Sequence, residues 1–288
     1  MYSVVIGSQG MLGKELVAVL KARSVESVYA DINPGDGEIK LDITDRSAVT
    51  ALIEKYKPEV IFNCSAYTNV DLAEEQEDLA AKINGSGVEN IALAAKTADA
   101  LLVHISTDYV FAGDNNQPYQ PADATDPQGA YGRTKLLGEE LIKKTGGKWQ
   151  IIRTAWLFGP KGKNFVETIL GFARKRDSLK VVNDQNGCPT WAPDLALCMA
   201  DLAKTNQTGI FHFCNGPACT WYDLAQETIA QAGVNCTVEP CTSAEFPRPA
   251  PRPTWSVMDS SATYKAIGWT PKPWQQAVAE YVKTLLKE

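Results

Sequence analysis

Tyr2-Ser3-Val4-Val5-Ile6-Gly7-Ser8-Gln9-Gly10-Met11-Leu12-Gly13 is the stretch that decides the fold. Ser3–Ile6 is a short apolar run with β-branched residues, the mark of a buried strand. From Met11 to Ala22 the apolar residues Met11, Leu12, Leu16, Val17 and Leu20 recur at helical spacing. Between strand and helix stands G-x-x-G-x-x-G. Gly7 permits a tight turn, Gly10 lets the backbone approach a ligand phosphate, and Gly13 lets helix and strand pack closely. The helix N-terminus adds N–H donors and a positive dipole end. Two readings stay open for the glycines alone: a pyrophosphate cradle or a plain strand-to-helix turn.

Asp31 lies 18 residues beyond Gly13, at the end of a second expected strand, Ser27–Asp31. A carboxylate at about that offset binds the adenosine ribose of a dinucleotide. In that role it favours NADH over NADPH, unless Lys14, Lys21 or Arg23 reaches a 2′-phosphate; the alternative is a solvated strand-end aspartate.

Further strands are expected at Ile39–Asp42, Val60–Cys64, Leu101–Ile105 and Gln150–Arg153, and helices at Arg46–Tyr56, Leu72–Thr97 and Tyr131–Lys144. Strands alternating with helices make a parallel sheet with crossover connections. The expected class is therefore α/β, a Rossmann-type doubly wound parallel sheet. Past about residue 155 the pattern loosens, so we expect an NAD(P)-binding domain over 1–154 and a smaller α+β substrate-binding domain over 155–288. The second is expected to be discontinuous, with 194–204 packing back on the first and a helix at Pro273–Leu286. The proline-rich stretch Pro247–Pro253 reads as a structured loop.

The chain has 288 residues, 44% hydrophobic and 22% charged, which is globular composition and excludes disorder. There is no basic leader and no run of about 18 apolar residues, so neither secretion nor membrane insertion is expected. A net charge of −6 is the wrong sign for nonspecific nucleic-acid binding. An anionic ligand must find a local basic site. The seven cysteines are odd in number, lack C-x-x-C spacing and have only two histidines beside them, which reads as reduced cytoplasmic thiols.

Tyr131-Gly132-Arg133-Thr134-Lys135 puts a tyrosine and a lysine at i and i+4, on one helix face. Thr107 lies 24 residues upstream, just past an expected strand end, where ligands bind in open parallel sheets. Ketone reduction needs a hydride and a proton. A tyrosine of ordinary pKa, about 10, releases its proton poorly near neutrality, and an adjacent lysine lowers that value. Thr107 can hold the carbonyl oxygen. Together these residues form the constellation of the short-chain dehydrogenase/reductase superfamily.

Longer segments sharpen the likeness: Leu41–Asp45, Asn63–Asp71, Ile105–Gly113 (I-S-T-D-Y-V-F-A-G), Arg153–Gly159 (R-T-A-W-L-F-G), Asn183–Trp191 (N-D-Q-N-G-C-P-T-W) and Arg252–Ser256. Through these the chain resembles the dTDP-4-dehydrorhamnose reductase family over essentially its whole length. The resemblance implies NAD(P)H-dependent reduction of the 4-keto group of dTDP-4-dehydro-β-L-rhamnose to dTDP-β-L-rhamnose, the last step of dTDP-L-rhamnose formation for polysaccharide biosynthesis. It implies Tyr131 as proton donor, Lys135 as its partner and ribose ligand, and Thr107 as the residue tuning the carbonyl. Gly10, Met11 and Leu12 would cradle the pyrophosphate, Asp31 the ribose, Asp42 and Ile43 the adenine, and Ala66, Tyr67 and Thr68 the middle of the cofactor. The sugar would meet Thr107, Asp108, Tyr109 and Trp156, with Arg252 a candidate for the diphosphate. Ala66, Ile43 and Trp156 could equally be packing residues, and Arg252 a solvated loop residue. Mg²⁺ accompanies the family, yet no cluster of oxygen ligands stands around Glu15 or Asp194 to hold it. A monomer or a homodimer is compatible with the chain. Related dehydratases carry Asp-Glu after the threonine, whereas Asp108 is followed here by Tyr109, which argues for plain reduction. The rival class is a non-catalytic dinucleotide-binding subunit of the same fold, which could dispense with Tyr131 and Lys135.

Overall fold

A computed structural model describes residues 1–205 and 207–287. The opening run forms β1 (Tyr2–Ile6), the glycine turn follows, and α1 spans Met11–Ala22. Next come β2 (Glu26–Asp31), the short β3 (Ile39–Lys40), α2 (Arg46–Tyr56) and β4 (Val60–Asn63). Asp45 caps α2 by accepting from the Ala48 N–H, and the helix stops at Lys57, which turns left-handed before Pro58.

The stretch expected as one helix over 72–97 is four pieces instead: α3 (Val70–Ala73), α4 (Glu77–Ala81), a π-helical segment Lys82–Gly87, and α5 (Val88–Thr97). Gly85 and Gly87 weaken α-helix there. Buried Asn84 draws the backbone off α geometry: its Oδ1 accepts from the Tyr67 N–H at 2.8 Å, and its Nδ2 donates to the Tyr67 carbonyl at 3.1 Å and to Thr134 Oγ1 at 3.2 Å.

Then follow β5 (Leu101–Thr107), a single 3₁₀ turn Asp108–Val110, α6 (Ala130–Thr145) and β6 (Lys148–Thr154). Beyond them lie β7 (Leu157–Phe158), α7 (Phe165–Ala173), β8 (Ser178–Val182), β9 (Asn186–Gly187), β10 (Thr190–Trp191), α8 (Ala192–Leu202) and β11 (Gly209–His212). The chain closes with β12 (Cys219–Thr220), α9 (Trp221–Ala232), β13 (Thr237–Cys241), α10 (Ser261–Ile267) and α11 (Trp274–Leu285). No helix or strand forms in the proline-rich stretch 247–253.

The main sheet has seven strands in the order β11-β6-β5-β4-β1-β2-β3, all parallel. It is the expected doubly wound α/β architecture. Val4, Ile6 and Ile61 pack with Val49, Ile53 and Ile91 of α2 and α5 on one face. Val5 and Phe62 pack with Leu16 and Leu20 of α1 and Leu195 and Met199 of α8 on the other. Both faces are covered, which is why these strands read as unbroken apolar runs. The edge strand β11 pairs with β6 although it lies 55 residues further along the chain, a strand the periodicity does not announce. Residues beyond 155 also build a second core, in which Phe158, Val166, Leu224, Trp274 and Val278 join α7, α9 and α11.

Candidate active site

Between β1 and β4 the sheet order changes direction, and at the carboxyl ends of these strands opens a cavity of about 1100 Å³. Small-molecule pockets usually run to roughly 300–1,000 Å³, so this one has room for two ligands side by side. Gly7 begins the turn at φ +80°, and a Cβ there would stand 2.6 Å from the Ser65 nitrogen. A Cβ at Gly13 would run into the Gly7 carbonyl, so Gly13 serves helix–strand packing behind the cavity wall. Gly10, Met11 and Leu12 line the cavity. Gly10 is the N-cap of α1 and carries no side-chain cap, which leaves the first N–H donors of the helix for a ligand. Asp31 accepts from the Gln9 N–H at 3.0 Å and the Asn33 N–H at 2.9 Å, tying the glycine turn to the end of β2 while its carboxylate faces the cavity. These residues fit a dinucleotide.

Asp42, Ile43, Ala66 and Thr68 also lie on the wall. The Thr44 N–H and hydroxyl hold the Asp42 carboxyl below its usual range, at 2.9 and 2.8 Å. Tyr67 is not part of the wall: its hydroxyl donates to Gln76 at 3.0 Å, and its backbone is clasped by Asn84.

At the other end stand Thr107, closing β5, and Tyr131, in the first turn of α6. Glu74 accepts from the Ala130 N–H at 2.8 Å and so fixes where α6 begins. The Thr107 side chain favours the ionised form of the Tyr131 phenol, and the Tyr131 ring meets that of Tyr109 edge-on, centroids 5.6 Å apart. Thr107 Oγ1 donates to Asp108 Oδ1 at 2.9 Å. The other carboxyl oxygen, Oδ2, is buried without a protein partner, and burial pushes Asp108 up to about 6. The phenols of Tyr131 and Tyr109 are raised by burial and then by the charge of Asp108.

Lys135 departs from expectation. Its Nζ turns to β5, donating to the Ile105 carbonyl at 2.6 Å and meeting His104 Nε2 at 3.3 Å. Burial lowers it to about 8. The Tyr131 phenol is raised in this structure rather than lowered, by burial first and then by the charge of Asp108.

Trp156 lines the cavity with a left-handed backbone, φ +48°, unusual for a bulky residue and the kind of local strain found at functional sites. Trp221 stacks on its ring at 3.7 Å, so one face is already covered. Arg252 is off the wall and pairs with Asp71 at 2.8 Å. Among the described residues no group of three or more His, Cys, Asp or Glu stands ready for a metal; Glu15 pairs with Lys161 at 3.1 Å, and Asp194 accepts from Asn215 at 2.7 Å.

Four positioning residues receive no role from the motifs, although Asn63 and Arg153 open two of the segments quoted above. Asn63, Asn84 and His104 carry no spacing signal, although the two glycines beside Asn84 interrupt a helical pattern. Buried Arg153 of β6 forks onto Glu139 of α6 at 2.9 and 2.7 Å, and Ser106 of β5 donates to the same carboxylate at 2.6 Å.

A glycine turn, a strand-end threonine and a Tyr-x-x-x-Lys helix around one cavity define a class, the dinucleotide-dependent oxidoreductases of short-chain dehydrogenase/reductase type. The family model described as RmlD substrate binding domain matches residues 1–287. A dTDP-4-dehydrorhamnose reductase of Streptomyces griseus is 40% identical over 288 residues, 96% of this chain and 91% of that protein. Among solved structures, a dTDP-4-dehydrorhamnose reductase from Clostridium acetobutylicum superposes with a TM-score of 0.94 at 41% identity, covering 99% of this chain and 100% of the other. A dTDP-4-dehydrorhamnose reductase from Bacillus anthracis, in complex with NADP, has a TM-score of 0.92 at 33% identity, covering 98% and 99%. The chain belongs to the RmlD substrate binding domain family.

Proposed function

We infer that the protein reduces the 4-keto group of dTDP-4-dehydro-β-L-rhamnose with NADPH or NADH. The observation that carries this reading is the convergence of Tyr131, Thr107 and Lys135 on the cavity that also holds the glycine turn. Bound at that turn, the nicotinamide cofactor supplies the hydride. Met11 and Leu12 meet its pyrophosphate, Asp31 the adenosine ribose, Asp42 and Ile43 the adenine, and Ala66 and Thr68 the central stretch. Thr107 orients the carbonyl oxygen, and Tyr131 delivers the proton to the alkoxide as it forms. Lys135, once moved off the Ile105 carbonyl, binds the nicotinamide ribose and lowers the phenol. Asp108, Tyr109 and Trp156 receive the sugar.

Labour divides near residue 154. Residues 1–154 hold the cofactor, while 155–288 supply the sugar-nucleotide side and return α8 and β11 to the first part. With seven free cysteines the protein works in the reducing cytoplasm, as a monomer or a homodimer. Among the described residues, no helix is long and apolar enough to cross a membrane.

Absorbance at 340 nm tests the reading: NADPH or NADH mixed with the keto-sugar nucleotide is expected to be oxidised. Cofactor binding without oxidation would leave only the binding-subunit alternative. Tyr131→Phe is expected to lower kcat roughly 10²- to 10⁴-fold with the melting temperature unchanged. A variant retaining full rate removes Tyr131 as proton donor.

A further inference from the structure

Behind the cavity wall a buried chain of side chains leads to Lys135. The Ser65 N–H and hydroxyl both donate to Asn63 Oδ1, at 3.0 and 2.5 Å. A backbone N–H can only donate, so this oxygen is an acceptor and the Asn63 amide orientation is settled. Its Nδ2 must then be the donor to His104 Nδ1, 3.0 Å away. His104 is wholly buried, and burial, the largest cause, keeps its ring well below the usual imidazole range, hence neutral. A neutral imidazole accepting at Nδ1 carries its proton on Nε2. That N–H points at Lys135 Nζ, 3.3 Å away. An ammonium there would set donor against donor. A neutral amine instead donates to the Ile105 carbonyl and accepts from His104.

The other titratable groups around Lys135 leave this balance in place. Glu139, one turn along α6, favours its charge but is itself paired with Arg153 of β6. Burial holds the Cys64 thiol, after β4, up at about 12, and the phenol of Tyr131 is raised as well.

We propose that His104 is a positioning residue which favours the neutral amine of Lys135 in the free protein, so that Lys135 takes up a proton when cofactor binds. This rests on the reading of the cavity as a dinucleotide site. Ser65, at the head of the chain, lines that cavity directly beside Gly7, so cofactor contact and the hydrogen-bonded string share one end. The ribose hydroxyls give the lysine acceptors that β5 does not, and in moving to them the amine leaves the opposing Nε2–H. Proton uptake thereby arms the lysine beside Tyr131 only in the complex.

Two measurements decide it. ¹⁵N and ¹³C histidine spectra of the cofactor-free protein are expected to show His104 neutral with the proton on Nε2 from pH 6 to 9. The chain has only one other histidine, His212, whose Nδ1 faces the Tyr119 carbonyl at 3.1 Å and so takes the opposite tautomer, which separates the two signals. A proton on His104 Nδ1, or an imidazolium in that range, overturns the inference whatever the activity. Calorimetry of NADPH binding at pH 8.5 in buffers of different ionisation enthalpy is expected to show uptake of roughly half a proton or more per site. His104→Asn keeps an acceptor for Asn63 but removes the N–H facing Lys135. It is expected to cut that uptake by at least half and to move the alkaline limb of kcat/KM up by about one pH unit. Binding without uptake, or unchanged uptake and pH profile in His104→Asn, overturns the inference. Failure of NADPH to bind at all instead overturns the underlying reading of the cavity, and the tautomer still decides the state of His104.

Discussion

Asp108 shows how one residue at the site is held against its own stability. Its carboxyl is buried, Oδ1 accepts from Thr107, Oδ2 has no hydrogen-bond partner, and the hydroxyls of Thr107 and Ser256 and nearby backbone offset only part of the cost of burial. The native pKa of about 6 lies above the ordinary 3.8, so the folded protein binds a proton that the unfolded chain releases. The stability this adds is fully present below about pH 4 and is lost as pH rises through 6. Asp108→Asn is neutral throughout, and is expected to be more stable than the parent by about 1–3 kcal/mol at pH 7.5 and equal to it near pH 4. Urea unfolding at pH 4, 5.5 and 7.5 measures this; a difference independent of pH would mean that desolvation of Asp108 is not its origin. The cost is retained, we infer, because the same carboxyl sets the direction of the Thr107 hydroxyl and meets the sugar. In the sequence, S-T-D-Y makes Thr107 and Asp108 candidate site residues. Which way the hydroxyl points depends on burial, which no local pattern encodes.

Among the elements, the π-helical segment Lys82–Gly87 most directly joins architecture to the cavity. It widens the helix by one residue, so that Asn84 faces the loop after β4, and α6 packs so closely that a Cβ on Gly138 would collide with the Asn84 carbonyl. Asn84→Ala leaves the Tyr67 N–H and carbonyl without partners. It is expected to cost about 2–4 kcal/mol, at roughly 1–3 for each buried polar group left unpaired. Because Ala66 and Thr68 sit in the released loop, KM for the cofactor is expected to rise more than kcat falls. Denaturant unfolding and steady-state kinetics check both, and an undisturbed cofactor KM would confine Asn84 to a purely structural part. Apolar spacing over 72–97 predicts a single helix, because it counts residues per turn and cannot see one inserted residue. The Asn84-Gly85-Ser86-Gly87 run is the local warning.

Across the whole molecule, two distant stretches complete what the first half begins. Helix α8 packs on α1, where Arg23 forks onto Asp201 at 2.6 and 3.1 Å and Trp269 donates to the same carboxylate at 3.1 Å. Strand β11 completes the sheet. The cavity wall itself joins Trp156, Leu157, Gly162 and Lys163 to the first half, and a ligand bound there is expected to stabilise the whole chain cooperatively. NADPH at 100 times its Kd is expected to add about 2.7 kcal/mol and to raise Tm by several degrees. Calorimetry showing no shift at saturating NADPH would speak against a cofactor bound preferentially by the native state. The chain by itself determined the α/β class, the glycine turn, the acidic end of β2 and the Thr107, Tyr131 and Lys135 set. Each is a local pattern: apolar period, turn chemistry, or spacing within one helix. Only the tertiary structure decided that Arg252 serves Asp71, that Trp221 covers one face of Trp156, that β11 is the seventh strand, and that Lys135 is held by His104 and Ile105 instead of Tyr131. Those outcomes depend on contacts between residues far apart in sequence and on the burial that removes water from their hydrogen bonds, and both exist only once the chain has folded.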